Sequence, residues 1–347
     1  MIDTLYICYK LRNTEYQDVF VALQSYLKRE HYCSQLRKDK TDKNAYVTNA
    51  FAKQGLQEIR LRQANYGHKS IEIRLRPKLL VNLGEYYTLT KISDFEDIEI
   101  AFGYLIRDQV GLCVPALREW IIQRVDAAVD LHVSKDLIPY YIRLFKKGNI
   151  PEYFFDRKTT LKYWDSTKNI YLMAKNITIN WYDRNETIHS KVRSDKSFSD
   201  YEVTTGVLRF ETQVRKADKS LAEILEKNFL KKKVVKFYEL IVGTADYYTL
   251  DEAVRRVRHS VKRKSKGNEL TELLQLINQY GSIFEAKRYY LQGKDKKSAA
   301  DKFSKRINQL LQLGINPVVL PNEWRISHLK NLLPNIIEEF DKERRDI

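Results

Sequence analysis

In the segment Arg124-Val-Asp-Ala-Ala-Val-Asp-Leu-His-Val133, side chains alternate in kind: Val125, Ala127, Val129 and Leu131 fall on one side, and Arg124, Asp126, Asp130 and His132 on the other. A period of two marks a half-buried strand, because successive side chains of an extended backbone point to opposite faces. Two later segments repeat the pattern. In Ile177-Thr-Ile-Asn-Trp-Tyr-Asp-Arg184, Ile177, Ile179 and Trp181 oppose Thr178, Asn180 and Tyr182. In Val207-Leu-Arg-Phe-Glu-Thr-Gln-Val-Arg215, Leu208, Phe210, Thr212 and Val214 alternate with Arg209, Glu211, Gln213 and Arg215. If the three strands share one sheet, carboxylates, a histidine and a tyrosine converge on its polar face.

Residues 2–10, 57–62 and 69–76 carry the same alternation and read as further strands, the last two bearing Arg60, Arg62, Arg74 and Arg76. Residues 168–188 read as paired strands and 189–202 as a loop. Helical spacing of apolar residues marks 15–29, 93–109, 115–123 and 135–147, with Pro139 tolerated only in a first helical turn. Strands and helices that do not strictly alternate suggest an α+β fold, an antiparallel sheet packed by helices. From about Lys219 the periodicity becomes almost wholly helical. The division expected is therefore 1–218 for the sheet domain and 219–347 for a helical domain, with no Pro/Gly-rich linker to mark the joint.

The chain has 347 residues and 43% hydrophobic content, enough for a substantial core. Its 61 Lys and Arg against 45 Asp and Glu leave a net charge of +16, and 23 Tyr and 14 Phe accompany it. That combination suits a polyanionic partner, nucleic acid ahead of membrane, although charge alone also fits an ordinary basic protein. Cys8, Cys33 and Cys113 are too far apart to form a paired metal motif and read as reduced thiols. No apolar run approaches the roughly 18 residues of a membrane span, so a cytoplasmic protein is expected. The run Arg255-Arg-Val-Arg-His-Ser-Val-Lys-Arg-Lys-Ser-Lys266 reads as a phosphate-contacting surface slightly ahead of a solvated helix face.

Carboxylates on one face commonly hold a hard divalent cation such as Mg²⁺ or Mn²⁺, which can polarise a phosphodiester. A tyrosine beside them is a competent nucleophile on phosphorus if a base or cation offsets its free pKa near 10. Asp126 and Glu211 are the first-choice ligands, with Asp130 and His132 on the same strand face. Glu186 joins them if the strand of Tyr182 continues. Tyr182 is the first-choice nucleophile and Tyr171 the alternative. Ordinary solvated residues of an outer sheet face would look the same. No phosphate-binding Gly-x-x-x-x-Gly-Lys-Ser/Thr loop, Gly-x-Gly-x-x-Gly turn or Gly-x-Ser-x-Gly elbow is present, which removes NTP hydrolysis, dinucleotide chemistry and α/β-hydrolase catalysis from the leading readings.

The order of three short motifs, Arg124-Val-Asp126-Ala, Tyr182-Asp-Arg184 with Glu186 after it, and Val207-Leu-Arg-Phe-Glu211, resembles that of rolling-circle replication initiators, both filamentous-phage initiator endonucleases and Gram-positive plasmid Rep proteins. The opening Met1-Ile-Asp-Thr-Leu and the segment Ile71–Gly84 also look like the phage group, so the likeness spans roughly residues 1–220. It implies a metal-dependent nickase that cuts one origin strand through a tyrosine, keeps the 5′ phosphate on it and frees a 3′-OH primer. By position it implies Tyr182 as nucleophile, Asp126 and Glu211 as the acidic strand residues, and Arg124, Arg184, Arg209 and Arg215 as DNA contacts. Arg255, Arg256, Arg258, Lys262, Arg263 and Lys264 would then touch the double-stranded origin. The C-terminal helices are candidates for a host helicase or a second copy of the chain. Many such initiators carry a His-hydrophobic-His pair; here His132 stands alone. The competing expectation is a non-catalytic, sequence-specific DNA-binding protein of a mobile element.

Overall fold

The computed structural model describes residues 1–30, 36–63, 68–81, 87–155, 166, 168–192, 201–226 and 228–342. Cys33, residues 82–84 of the phage-like segment and 193–200 of the expected loop lie outside them. The chain is α+β, 50% helical and 26% strand. Its strands are β1 (Ile2–Leu11), β2 (Arg37–Lys38), β3 (Ala45–Thr48), β4 (Leu56–Gln63), β5 (Lys69–Leu75), β6 (Ile121–His132), β7 (Asn169–Met173), β8 (Ile177–Asp183), β9 (Val207–Ser220), β10 (Tyr247–Tyr248) and β11 (His328–Leu329). The helices are α1 (Asn13–Arg29), α2 (Pro77–Val81), α3 (Phe95–Gly103), α4 (Ile138–Lys147), α5 (Arg184–Val192), α6 (Leu221–Leu225), α7 (Phe229–Ile241), α8 (Leu250–Ser260), α9 (Lys264–Tyr280), α10 (Ile283–Tyr290), α11 (Lys296–Gln312) and α12 (Leu333–Lys342).

Nine strands form one antiparallel sheet in the order β2-β3-β4-β5-β1-β6-β9-β8-β7. The three alternating segments are thus β6, β9 and β8, side by side. Val125 pairs with Val214 and Val129 with Phe210 across β6 and β9, and Phe210 pairs with Trp181 on β8, so their apolar sets share one face. A slip of one residue would turn every one of these side chains to the other side, which is why the pattern specifies the register.

Aromatic residues close that face. Trp181 stacks on Phe145 of α4 with ring centroids 4.6 Å apart and on Tyr238 of α7 at 5.4 Å, and meets Phe210 edge-on at 5.0 Å. Tyr238 in turn accepts the Leu332 N–H on its hydroxyl at 3.1 Å. The core therefore runs across the division expected at 218, which falls two residues before β9 ends, and α7 belongs to the layer that covers the sheet. At the joint, a Cβ on Gly148 would lie 2.3 Å from the Ile241 carbonyl oxygen, so α4 and α7 meet backbone to backbone.

Three local expectations change, one of them the loop expected at 189–202, whose first residues continue α5 to Val192. Residues 115–123 are no helix: a short 3-10 turn at Leu117–Glu119 leads into β6. Trp120 is buried there with its indole N–H on the Pro115 carbonyl, and the paired isoleucines Ile121 and Ile122 favour extended backbone. The strand of Tyr182 ends at Asp183, and α5 takes Glu186 out of it. The Asp183 carboxylate accepts the Glu186 N–H at 3.3 Å, as an N-capping side chain does.

Beyond the sheet, α8 to α11 pack on one another, α9 ending at Gly281 in a left-handed turn (φ +77°) and α10 starting at the Ser282 cap. Among the described residues no helix is long and apolar enough to cross a membrane. Trp181→Ala removes the ring against which three others pack and is expected to cost about 3–5 kcal/mol of stability, measurable by denaturant unfolding.

Candidate active site

The polar face is set by the same register. Asp126 lies opposite Gln213, Ala128 opposite Glu211 and Asp130 opposite Arg209 across β6 and β9; β8 then brings Asn180 opposite Glu211 and Tyr182 opposite Arg209. β7 adds Tyr171 opposite Asn180. On the other side of β6, Ile2 pairs with Ala127 and Thr4 with Asp126, so β1 holds one extra residue at this point. Such a bulge re-aims side chains, and both Asp3 and Thr4 line the site. The result is a 470 Å³ cleft bounded by Asp3, Arg76, Arg124, Asp126, Tyr171, Asn180, Tyr182, Arg184, Glu211 and Gln213, among others.

Glu211 is its centre. One carboxylate oxygen accepts hydrogen bonds from the Gln213 amide at 2.7 Å and the Asn180 amide at 3.4 Å, and the other accepts the Tyr182 hydroxyl at 3.3 Å. Asp126 is 2% exposed and Glu211 5%. Arg124 binds Asp126 through two parallel contacts, Nε to Oδ1 and Nη2 to Oδ2, both 2.6 Å, and lies over the Tyr6 ring at 4.6 Å.

Arg209 has no exposed surface. It grips Asp130 through Nε and Nη2, both at 2.6 Å, and also donates to Asp3 at 2.8 Å and to the Tyr87 carbonyl at 3.2 Å. Read from the sequence as a DNA contact, it is instead an internal cation whose donors are spent on the protein. Arg184 is likewise buried, at the start of α5.

The cleft shifts its titrations in physically legible ways. Burial pushes Asp126 up to about 7, with the Glu211 charge adding and the Arg124 hydrogen bond opposing. Burial, then the charge of Asp3, raises Glu211 against the Gln213 hydrogen bond and Arg209. Burial and Glu211 hold the Tyr182 phenol above its ordinary range, while Arg209 and Arg184 pull it down. Asp3 is the opposite case: burial would raise it, but Arg76 and Arg209 together hold it well below the usual carboxylate range.

The sequence-derived candidates separate into groups. Asp126, Glu211, Tyr182, Tyr171, Arg124 and Arg184 line one cleft. Asp130 and His132 lie along the same strand but border a neighbouring 400 Å³ depression with Lys91 and Thr204. Glu186 is on α5, paired at the surface with Lys168 at 2.6 Å. Arg215 is on the polar face, donating to the Thr178 hydroxyl at 2.8 Å. Arg255 and Arg256 are engaged with Glu252 on α8, and Arg258, Lys262, Arg263 and Lys264 are exposed around the α8–α9 link. Spacing missed Asp3, Asn180 and Gln213 as site residues; all three occupy polar positions of alternating strands, but which strands become neighbours is set by pairing far apart in sequence.

Among the described residues no three His, Cys, Asp or Glu side chains group closely enough to hold a metal ion. Two carboxylates do face one another: Asp126 and Glu211 are diagonal neighbours across β6 and β9, both enclosed, and the charge on Glu211 raises Asp126. A pair of buried, mutually repelling carboxylates is a donor set that a hard divalent cation would relieve, with Arg124 released from Asp126. Asp126 and Glu211 are the residues that fit.

Because Glu211 binds its proton more tightly when folded, its contribution to stability is greatest at pH values below the ordinary carboxyl range and is lost as pH rises through its folded pKa. Without divalent cations, Glu211→Gln should therefore melt above wild type at pH 8, and the gain should shrink toward pH 5 in a thermal scan. No family model, curated protein or solved structure matches this chain.

Proposed function

We propose that this chain is a metal-dependent tyrosine nickase that initiates rolling-circle replication, cutting one strand of a plasmid or phage origin. The observation that carries it is the Tyr182 hydroxyl 3.3 Å from the Glu211 carboxylate, in a cleft shared with Asp126 and flanked by arginines. Glu211 is in position to take the phenolic proton as Tyr182 Oη attacks phosphorus. The P–O3′ bond then breaks, the leaving 3′ oxygen takes a proton from solvent, and the 5′ phosphate stays on the tyrosine. Arg184 and Arg209 favour the phenolate, and Arg76 and Arg124 supply positive charge at the cleft wall. A bound Mg²⁺ or Mn²⁺, held by Asp126 and Glu211, would stabilise the charge that builds on the phosphoryl oxygens.

The partner is DNA: an unpaired stretch at the cleft, and the double-stranded origin at the exposed cations Arg258, Lys262, Arg263 and Lys264. A host helicase and a second protomer remain partners that the resemblance implies. Tyr171 lines the same cleft and is the alternative nucleophile.

A second reading, a DNA-binding protein that does not cut, has one observation in its favour. Asp126 and Asp130 are each already neutralised by an arginine held through two contacts, an arrangement stable without metal.

On a supercoiled origin plasmid with Mn²⁺, wild type should form a covalent protein–DNA adduct on a denaturing gel. Tyr182→Phe and EDTA should each abolish it, while Tyr171→Phe retains it. Tight origin binding with no adduct under any condition would leave the binding protein standing. Independently of activity, Mn²⁺ should raise the melting temperature of wild type by several degrees and leave Glu211→Gln unmoved; equal shifts would remove Glu211 from the ligand set.

A further inference from the structure

On the other layer of the molecule, α4 presses Phe145 against Trp181 while its Arg143, Lys146 and Lys147 border a groove of 800 Å³. Its facing walls come from the α9–α10 turn and from the 3-10 turn at Asn322–Trp324. Two of its aromatic rings are braced by a neighbouring ring: Trp324 by Tyr140 at 4.6 Å, and Phe284 by Phe155, which also lines the groove, at 4.4 Å. Tyr280 at the end of α9 also lines the groove and stacks on Tyr289 at 4.5 Å.

We propose that this groove is a second nucleic-acid site, one that holds unpaired single-stranded DNA with its phosphates against Arg143 and Lys147 and its bases against Trp324 and Phe284. Among the described residues four cations border it, against two glutamates: Glu285 is bound to Arg288 at 3.0 Å, and the charge of Glu323 acts on Lys147. Lys147 is half-buried, and burial holds its ammonium below the ordinary lysine range, so an arriving phosphate gains more there than at an exposed lysine. Braced aromatic rings beside cations are what a single strand uses, since every unpaired base offers a face to stack and the backbone supplies the charge. A duplex keeps its base faces covered and could use only the charge.

The groove is also tied to the edge of the sheet that carries the cleft. Lys146 donates to the carbonyl of Ser166, three residues before β7, the outermost strand of the sheet. Asn169 and Tyr171 of β7 line the cleft on the polar face. The assignment stands on the groove itself and holds whether or not the chain cuts DNA.

The test is binding of fluorescein-labelled dT15 in EDTA, followed by anisotropy together with tryptophan emission. Wild type should bind dT15 with quenched emission. Arg143→Glu, an exposed position that spares the core, should weaken binding at least tenfold; Trp324→Phe should abolish most of the quench. A 15-base-pair duplex should compete poorly. Unchanged dT15 affinity in Arg143→Glu together with an unchanged quench in Trp324→Phe would overturn the proposal. So would competition by the duplex, or by thymidine monophosphate alone, as strong as that of dT15. Failure here leaves the adduct assay untouched, and loss of the adduct leaves this binding intact.

Discussion

A guanidinium with no exposed surface organises the polar face. Arg209 joins Asp130 of β6, Asp3 of β1 and the backbone at Tyr87, so one side chain of β9 fastens three strands and a loop. Enclosing a charge is costly unless every donor is met, and removing one partner of such a buried set typically costs about 3–5 kcal/mol. The cation also divides the face. Asp126 and Glu211 lie on one side of it, in the cleft with Tyr182; Asp130 and His132 border the depression on the other.

That division sets what each carboxylate can do. Asp130 has both oxygens committed to Arg209 and contributes structure. Asp126 is committed too, but to Arg124, which is partly exposed and lies at the cleft wall, so its pairing can open when a competing cation arrives. Glu211 accepts its hydrogen bonds from neutral donors, two amides and a phenol, and meets Arg209 and Arg124 through their charge without a direct ion pair. It is therefore the group whose environment changes most when a phosphodiester or a cation enters.

Much of this was legible in the sequence. Strict alternation in β6, β8 and β9 identified both faces, because register and burial act on the same period of two. It put Asp126, Tyr182 and Glu211 together, and Trp181 and Phe210 with the core. Alternation says nothing of strand order, so the neighbour that supplies Asp3 stayed hidden, as did the bulge that turns it inward. It also cannot distinguish a surface arginine from an internal one: Arg209 and Arg215 are equivalent in pattern, yet only Arg209 meets two carboxylates. The misplacement of Glu186 had a readable signal, since Asp183-Arg-Asn-Glu186 has the spacing of a helix start. The break placed at residue 218 followed composition, whereas packing continues through Trp181 and Tyr238.

The strand order carries a kinetic implication. β1, residues 2–11, sits between β5 and β6, and β6 in turn waits for β9, which begins at residue 207. Contacts between segments this distant in sequence must close large loops before they repay the entropy, and such topologies fold slowly. During synthesis the first strand emerges long before its last layer exists, with Asp3 charged and solvated until Arg209 docks. The phenol, both carboxylates and the buried cation come into register in the same late event, so a partly made chain holds the parts of the cleft without its chemistry.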